Sequence, residues 1–287
     1  DDALRERTGW EELVLPIMPS ESFILSAILR VHSKSYVQKV KQSCATEGIV
    51  SDTVDVSTGS WIAAVTACES VVRAIEQATL REDAFIFCNI RPPGHHAGCS
   101  HASGFCIFNN VVIGAQYALS HCHVRHVSIL DIDVHAGDAT ATIIRHKRLT
   151  HDGRVSYFSI HERNIFPGHK RFNKDQVDKV GLHLRSLYSG CSWEQYKQVL
   201  DELLRIMKEI YTPDLILISC GFDSCKYDLL GNFPLLPEHY GYIANKVHKI
   251  CPRVVSCLEG GYAIDELGPC VDGLLDGVNT ANTFDFR

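Results

Sequence analysis

Two aspartates and a histidine in the run His126–Asp138, HVSILDIDVHAGD, are spaced for shared chemistry. The run opens apolar, with Val127, Ile129 and Leu130, and closes on Asp131, Asp133 and His135. Alternate residues of a strand project to one side, which would gather the three at the C-terminal end of a single strand. Two carboxylates crowded against an imidazole resist burial unless positive charge sits among them. A divalent metal supplies that charge. A lone Asp-x-Asp would fit a solvated strand end equally well, but the histidine, the apolar lead-in and the Gly-Asp turn favour the metal.

Three further apolar runs end in reactive side chains. Ala84–Ile90 precedes Arg91, His95 and His96; Leu215–Cys220 precedes Gly221-Phe222-Asp223; Val254–Leu258 precedes Glu259-Gly260-Gly261-Tyr262. Open parallel sheets bind ligands beyond the carboxyl ends of their strands, so all four sets converge on one place. Asp133, His135 and Asp223 would form a three-ligand site with positions left open, the arrangement of a catalytic zinc. Two carboxylates cancel the formal charge of Zn²⁺ and weaken it as a Lewis acid, so the reaction needs helpers. His95 and His96 could act as base and acid, Tyr262 could donate to an oxyanion, and Asp131 and Asp138 could each fix one histidine tautomer. Taken singly, the histidine pair would suit a surface loop, Tyr262 a packing role and Asp223 a helix cap. Two other clusters are discounted. His121-Cys122-His123 with His126 lies at the opposite edge of the sheet, and Cys99, His101 and Cys106 lack a CxxC partner.

The elements that must position these residues alternate between helix and strand. Helices are expected at Leu25–Leu29, Trp61–Leu80, Phe108–His121, Asp138–His146, Trp193–Tyr211, Pro237–Ile250 and Asp265–Thr280. Strands are expected at Ala84–Ile90, Val127–Asp133, Val155–His161, Gly181–Leu187, Leu215–Cys220 and Val254–Leu258. Gly48–Gly59 and Asn164–Asp178 read as loops. The strands are continuous apolar runs, the pattern of a parallel sheet covered on both faces. No linker or repeat interrupts residues 1–287, which read as one domain.

A net charge of −6 argues against sequence-independent nucleic-acid binding, which needs a basic face. No apolar run reaches the ~18–20 residues that span a bilayer, and the acidic start DDALRERTGW has no signal-peptide pattern. The twelve cysteines are scattered and several lie inside apolar strands (Cys88, Cys220, Cys257), which suits free thiols in the cytosol or nucleus.

Taken in order, Arg91-Pro92-Pro93-Gly94-His95-His96, Gly104-Phe105-Cys106, Asp131-Ile132-Asp133-Val134-His135, Gly221-Phe222-Asp223 and Glu259-Gly260-Gly261-Tyr262 resemble the motifs of the zinc-dependent histone deacetylase family. The likeness extends over about Leu25 to Gly277. It implies an arginase-deacetylase fold, a three-layer α/β/α domain around a mainly parallel eight-stranded sheet. It implies one Zn²⁺ on Asp133, His135 and Asp223, with His96 as general base and His95 as its electrostatic partner or acid. Asp131 would stand behind His95 and Asp138 behind His96, while Tyr262 polarises the amide carbonyl. Phe105 and Phe166 would flank a tunnel for the lysine methylenes, and the Gly104 carbonyl would accept from the substrate amide. Backbone carbonyls of Asp131, Asp133 and His135, with Ser159 and Ile160, match the family's K⁺ site.

Glu259-Gly260-Gly261 followed by Tyr262 resembles class II, and within it a IIb-like enzyme. Leu230 stands where polyamine-selective relatives carry a glutamate. The implied function is removal of acetyl groups from lysines of histones or other proteins by zinc-activated water, in the nucleus or cytoplasm, with roles in chromatin and transcription. An acetylpolyamine amidohydrolase and a silent acetyl-lysine-binding scaffold are the alternatives. Acetylated peptides and zinc-chelating hydroxamates are the expected ligands; direct contacts with nucleic acid or membrane are not. Ala136 and Leu229 depart from the family pattern, the N-terminal His-Pro-Glu loop has no clear counterpart, and the acidic residue that clamps substrate in the family is not fixed, Asp52 and Asp55 being weak candidates.

Overall fold

The computed structural model describes residues 20–146, 154–178 and 181–279; the acidic N-terminal stretch and the expected helix end at Thr280 lie outside them. Helices α1 (Glu21–Val31) and α2 (Lys34–Ala45) lead to a small antiparallel hairpin of β1 (Ile49–Ser51) and β2 (Val54–Asp55). The hairpin occupies the stretch expected to be a loop, and α3 (Thr58–Thr79) starts within the same stretch. Then come β3 (Ala84–Cys88), α4 (Asn110–His121), β4 (Val127–Asp131), α5 (Asp138–His146) and β5 (Val155–Glu162). A 3-10 turn (Lys170–Asn173) and the short β6 (Gln176–Val177) break up the second expected loop. The chain continues through β7 (Leu182–Leu187), α6 (Trp193–Ile206), β8 (Leu215–Cys220), α7 (Pro237–His248), β9 (Arg253–Leu258) and α8 (Ile264–Asn279). The single helix expected over Trp193–Tyr211 is α6 followed by a π-helical turn, Met207–Tyr211.

Among the described residues the main sheet has seven strands, against the eight that the resemblance implies, in the order β3-β9-β8-β4-β5-β7-β6. Every pairing is parallel except β6 with β7. The central strands β4, β5 and β8 are buried along their whole length, because helices cover both faces. Strand alternation divides their side chains between two cores. Ile129, Tyr157 and Leu217 join one with α3 and α4 residues such as Val71, Ile75 and Ile113. Leu130, Phe158 and Ile218 join the other with Tyr196, Leu200, Tyr240 and Leu274 of α6, α7 and α8. This is the three-layer α/β/α architecture.

One expected boundary is corrected. Strand β4 stops at Asp131, so Asp133 and His135 lie in the turn beyond it and not on its face. The aspartates themselves end the strand. Asp131 Oδ1 accepts from the Asp133 N–H at 3.2 Å, and Asp133 Oδ1 from the His135 N–H at 2.9 Å. These local bonds take up the Asp133 and His135 N–H groups, while Ile132 N–H still donates to the Ser219 carbonyl at 3.0 Å and the Val134 carbonyl accepts from Glu162 N–H at 2.8 Å.

Helices α7 and α8 approach closely where both carry glycine. A methyl at Gly277 would stand 2.1 Å from the Gly241 carbonyl, and one at Gly273 2.1 Å from the Pro237 carbonyl. Both obstacles are backbone, which cannot swing aside. Gly277→Ala is therefore expected to cost about 1–3 kcal/mol, read as a lowered midpoint in urea unfolding. An unchanged midpoint would show that the helices have room to part.

Candidate active site

The four strand ends meet as the spacing implies. β3 delivers His95 and His96, β4 delivers Asp131, Asp133 and His135, β8 delivers Asp223, and β9 delivers Glu259 to Tyr262. A cavity of about 290 Å³ opens there, with His95, His96, Asp133, His135 and Tyr262 in its wall. Gly104, Phe105, Phe166 and Leu230 line it as well. Asp131 and Asp138 stand behind the histidines. Ser159 and Ile160 lie on β5, where Ser159 is in register with Asp131, and the Ser159 hydroxyl meets His161 Nδ1 at 3.0 Å.

Asp133, His135 and Asp223 offer ligand atoms that all lie within 4.8 Å of one another, and all three residues are buried. His135 Nδ1 faces Asp133 Oδ1 at 3.0 Å and Asp223 Oδ2 at 3.0 Å. One nitrogen thus has a single proton to offer two carboxylates, a donor set made for a cation. Ligands about 2.0–2.1 Å from a tetrahedral zinc stand about 3.3 Å apart, close to the spacing found. The remaining carboxylate oxygens are held by backbone: Gly260 N–H donates to Asp133 Oδ2 at 3.0 Å and Val134 N–H to Asp223 Oδ1 at 2.9 Å. Gly260 has to be glycine, because a Cβ would come within 2.3 Å of Asp223 Oδ2. These residues fit a divalent metal.

The electrostatics show the same need for positive charge. Burial and the Asp133 charge push Asp223 up to about 7. Burial disfavours a charged His135, but its bonds to Asp133 and Asp223 win and raise it to about 10. Burial and the adjacent His95 push His96 down to about 4, against the pull of Asp138. For His95 burial is opposed by Asp133 and Asp131, which hold it well above the usual histidine range. A cation between Asp133 and Asp223 would cancel part of that field.

Each histidine of the pair is oriented by its own carboxylate. His96 Nδ1 lies 2.9 Å from Asp138 Oδ1, and His95 Nδ1 lies 3.2 Å from Asp131 Oδ2, which also accepts from the Tyr157 hydroxyl at 2.7 Å. A neutral His96 that donates from Nδ1 keeps a lone pair on Nε2. Phe166 packs edge-on against His96, with centroids 4.9 Å apart, and Phe105 lies 6.2 Å from Tyr262. Both phenylalanines are partly exposed, 38% and 54%, so they form walls and not core. Gly104 and Phe105 both have positive φ, which turns the Phe105 ring outward to the cavity. Of the two candidate clamps, Asp52 occupies the hairpin turn beside Thr53, which reaches the cavity wall and accepts from Gly104 N–H; Asp55 pairs with Ile49 inside the hairpin.

One role escapes sequence reasoning. The buried Glu259 accepts from Gly94 N–H (2.6 Å), His95 N–H (3.1 Å) and the Ser219 hydroxyl (3.0 Å), and so holds the histidine loop against β8 and β9. Its one signal was a glutamate placed between an apolar strand and Gly-Gly. His95, Cys106 and Glu259 also group within 4.8 Å, but Glu259 is taken by these donors and the Cys106 thiol bonds the Gly104 carbonyl. The discounted His121–His126 cluster forms no such group; His121 stacks on Tyr117 and His126 bonds Ser156.

Since His135 holds its proton up to about pH 10, a metal must displace it. Zn²⁺ binding by chelator-stripped protein is therefore expected to tighten as pH rises through 6–9 and to release protons. The slope should be steeper below about 7, where Asp223 is protonated too. Calorimetry in buffers of different ionisation enthalpy measures that release; binding independent of pH would remove His135 from the ligand set.

Comparison with known proteins places these features. The family described as "Histone deacetylase domain" matches residues 2–278. An uncharacterized protein of Synechocystis sp. is 34% identical over 85% of this chain and 78% of its own length. Histone deacetylase 18 of Arabidopsis thaliana is 30% identical over 95% of this chain, which spans only 44% of that protein. A probable deacetylase of Archaeoglobus fulgidus is 29% identical over 92% of this chain and 74% of its own. Among solved structures, the HDA15 HD domain superposes with a TM-score of 0.82 at 23% identity, covering 93% of this chain and 77% of that one. An acetylpolyamine aminohydrolase from Burkholderia pseudomallei gives 0.77 at 24%, covering 90% and 83%. At these identities the structural likeness bears on the fold.

Proposed function

The chain belongs to the histone deacetylase family, and on that premise we propose that it hydrolyses the acetamide of acetylated lysine in proteins or peptides. One observation carries the reading: a single cavity is walled by Asp133, His135, His96 and Tyr262, with Asp223 bonded to His135 and Asp138 to His96 behind that wall. Asp133, His135 and Asp223 would hold one Zn²⁺, which when bound supplies a Lewis acid and acidifies water. His96 takes the proton of the attacking water on Nε2, and Asp138 keeps its Nδ1–H in place. His95, oriented by Asp131, would support the charge that develops and carry a proton for the leaving amine. The Tyr262 hydroxyl donates to the carbonyl oxygen as it becomes an oxyanion. Burial keeps that phenol protonated by raising its pKa. Cleavage of the C–N bond yields acetate and lysine.

Acetyl-lysine is slender and neutral, which suits a slot walled by Phe105 and Phe166 better than a charged cleft. The Gly104 carbonyl would accept from the substrate amide, Asp52 would grip its backbone, and the uncharged Leu230 would favour peptides over cationic polyamines. The backbone of Asp131, Asp133 and His135 with Ser159 and Ile160 would hold K⁺. The IIb-like subtype, a hydroxamate-binding site, and a nuclear or cytoplasmic setting with roles in chromatin and transcription belong to the same reading. No helix among the described residues is long and apolar enough to cross a membrane.

Acetate release from an acetyl-lysine peptide tests the reading. Tyr262→Phe is expected to lower kcat roughly 100- to 1000-fold, and His96→Ala roughly 100- to 10,000-fold, with metal content unchanged. Full activity in both variants would sink the mechanism. Faster turnover of N-acetylputrescine than of peptide would make the chain a polyamine enzyme, and tight acetyl-peptide binding without turnover would make it a scaffold.

A further inference from the structure

Tyr262 stands immediately beyond Gly260-Gly261, two residues without side chains to pin the backbone. Gly261 has a φ of 142°, a conformation side chains rarely adopt, and a Cβ there would press on Leu267 at 2.7 Å. Stiffening at that position by a larger residue is excluded, yet an oxyanion donor acts only if its hydroxyl is held in place before the reaction. The restraint has to come from another segment.

It comes from the loop after β8. The Asp228 carboxylate collects three backbone N–H groups from two segments. Oδ2 accepts from Tyr262 at 2.6 Å and from Ala263 at 3.0 Å; Oδ1 accepts from Leu230 at 2.9 Å. Asp228 is itself anchored by its own N–H, which donates to the Cys225 carbonyl at 3.0 Å. Charge-assisted bonds of this kind are about twice as strong as neutral ones. The carboxylate also faces the start of α8 at Ile264, the helix end that favours negative charge. The backbone at Tyr262 is thus held between Asp228 on one side and α8 on the other, and α8 is seated on α7 by Gly273 and Gly277.

The geometry points to Asp228 as a positioning residue that latches Tyr262 at the cavity and ties it to the Leu230 rim. The inference rests on the role of Tyr262 proposed above. Leu230 is 46% exposed and Leu229 78%, so the rim can meet a substrate before the acyl group reaches the tyrosine. Because both elements share one carboxylate, displacement of the rim pulls on the donor. Asparagine can replace the aspartate only in part: with its one oxygen turned to Tyr262 and Ala263, its NH₂ would meet the Leu230 N–H.

Two measurements test the latch. The first is amide hydrogen exchange of the metal-loaded protein, which needs no turnover. Asp228→Ala is expected to speed exchange at Tyr262, Ala263 and Leu230 at least tenfold and to leave β8 and β9 protected. The second is a double-mutant cycle on acetyl-lysine peptide. Asp228→Ala should lower kcat at least tenfold with little change in KM, Asp228→Asn should lower it less, and neither should add to the loss in a Tyr262→Phe background. A merely structural aspartate would give multiplicative losses in that background, and this would overturn the proposal, as would unchanged exchange at Tyr262. A wild-type chain inactive on acetyl-lysine would overturn the proposed activity instead; the exchange result then decides the latch alone.

Discussion

Everything in this site answers to one electrostatic constraint, the burial of Asp133 and Asp223 on either side of a single imidazole nitrogen. Two carboxylates in a low-dielectric interior cannot both stay ionised without a cation between them. The protein meets the constraint with backbone. Gly260 and Val134 N–H groups fix the outer oxygens and leave the inner ones aimed at a common point. The surrounding parts then follow: glycine at 260 for space, strand ends at one level for convergence, and helices on both faces to keep water from the carboxylates.

Around that centre, further carboxylates are committed to restraint. Asp131 and Asp138 each hold one histidine, Glu259 holds the backbone of the histidine loop, and Asp228 spans two loops at the rim. Each accepts from more than one group or is shielded from water, so each side chain fixes several atoms of the site at once. Such a network is rigid only when complete, because a buried acceptor or donor left unpaired costs about 1–3 kcal/mol.

Much of this arrangement was legible before any coordinates. Continuous apolar runs announced the parallel sheet, and the reactive residues at four strand ends announced where they would come together. The periodicity of Trp61–Leu80 matched α3 to within a few residues, and Leu215–Cys220 matched β8 outright. Less legible was whatever depended on local hydrogen bonding. The Asp-x-Asp-x-His stretch reads as a strand by alternation, but aspartate side chains competing for backbone N–H groups end it at Asp131. The β1–β2 hairpin is so short and polar that its sequence carries no period, and its value lies in where it puts Thr53. Glu259 and Asp228 bind backbone amides far away in sequence, a contact with no local signature. The likeness to the family supplied roles for the histidines and Tyr262 that spacing alone left open.

The central position of β4 and β8 in the sheet bears on how the protein is made. Asp131 is in register with Ser219 on β8, and the Asp133 carboxylate waits for the N–H of Gly260, 127 residues further on. A chain released from the ribosome only as far as α6 presents Asp133 and His135 without Asp223 or that amide. Such a nascent chain holds an unfinished set of ligands, open to any ion that meets it. The ligand set and its backbone support are complete only when β8 and β9 have docked beside β4, so a metal held there would report a finished sheet.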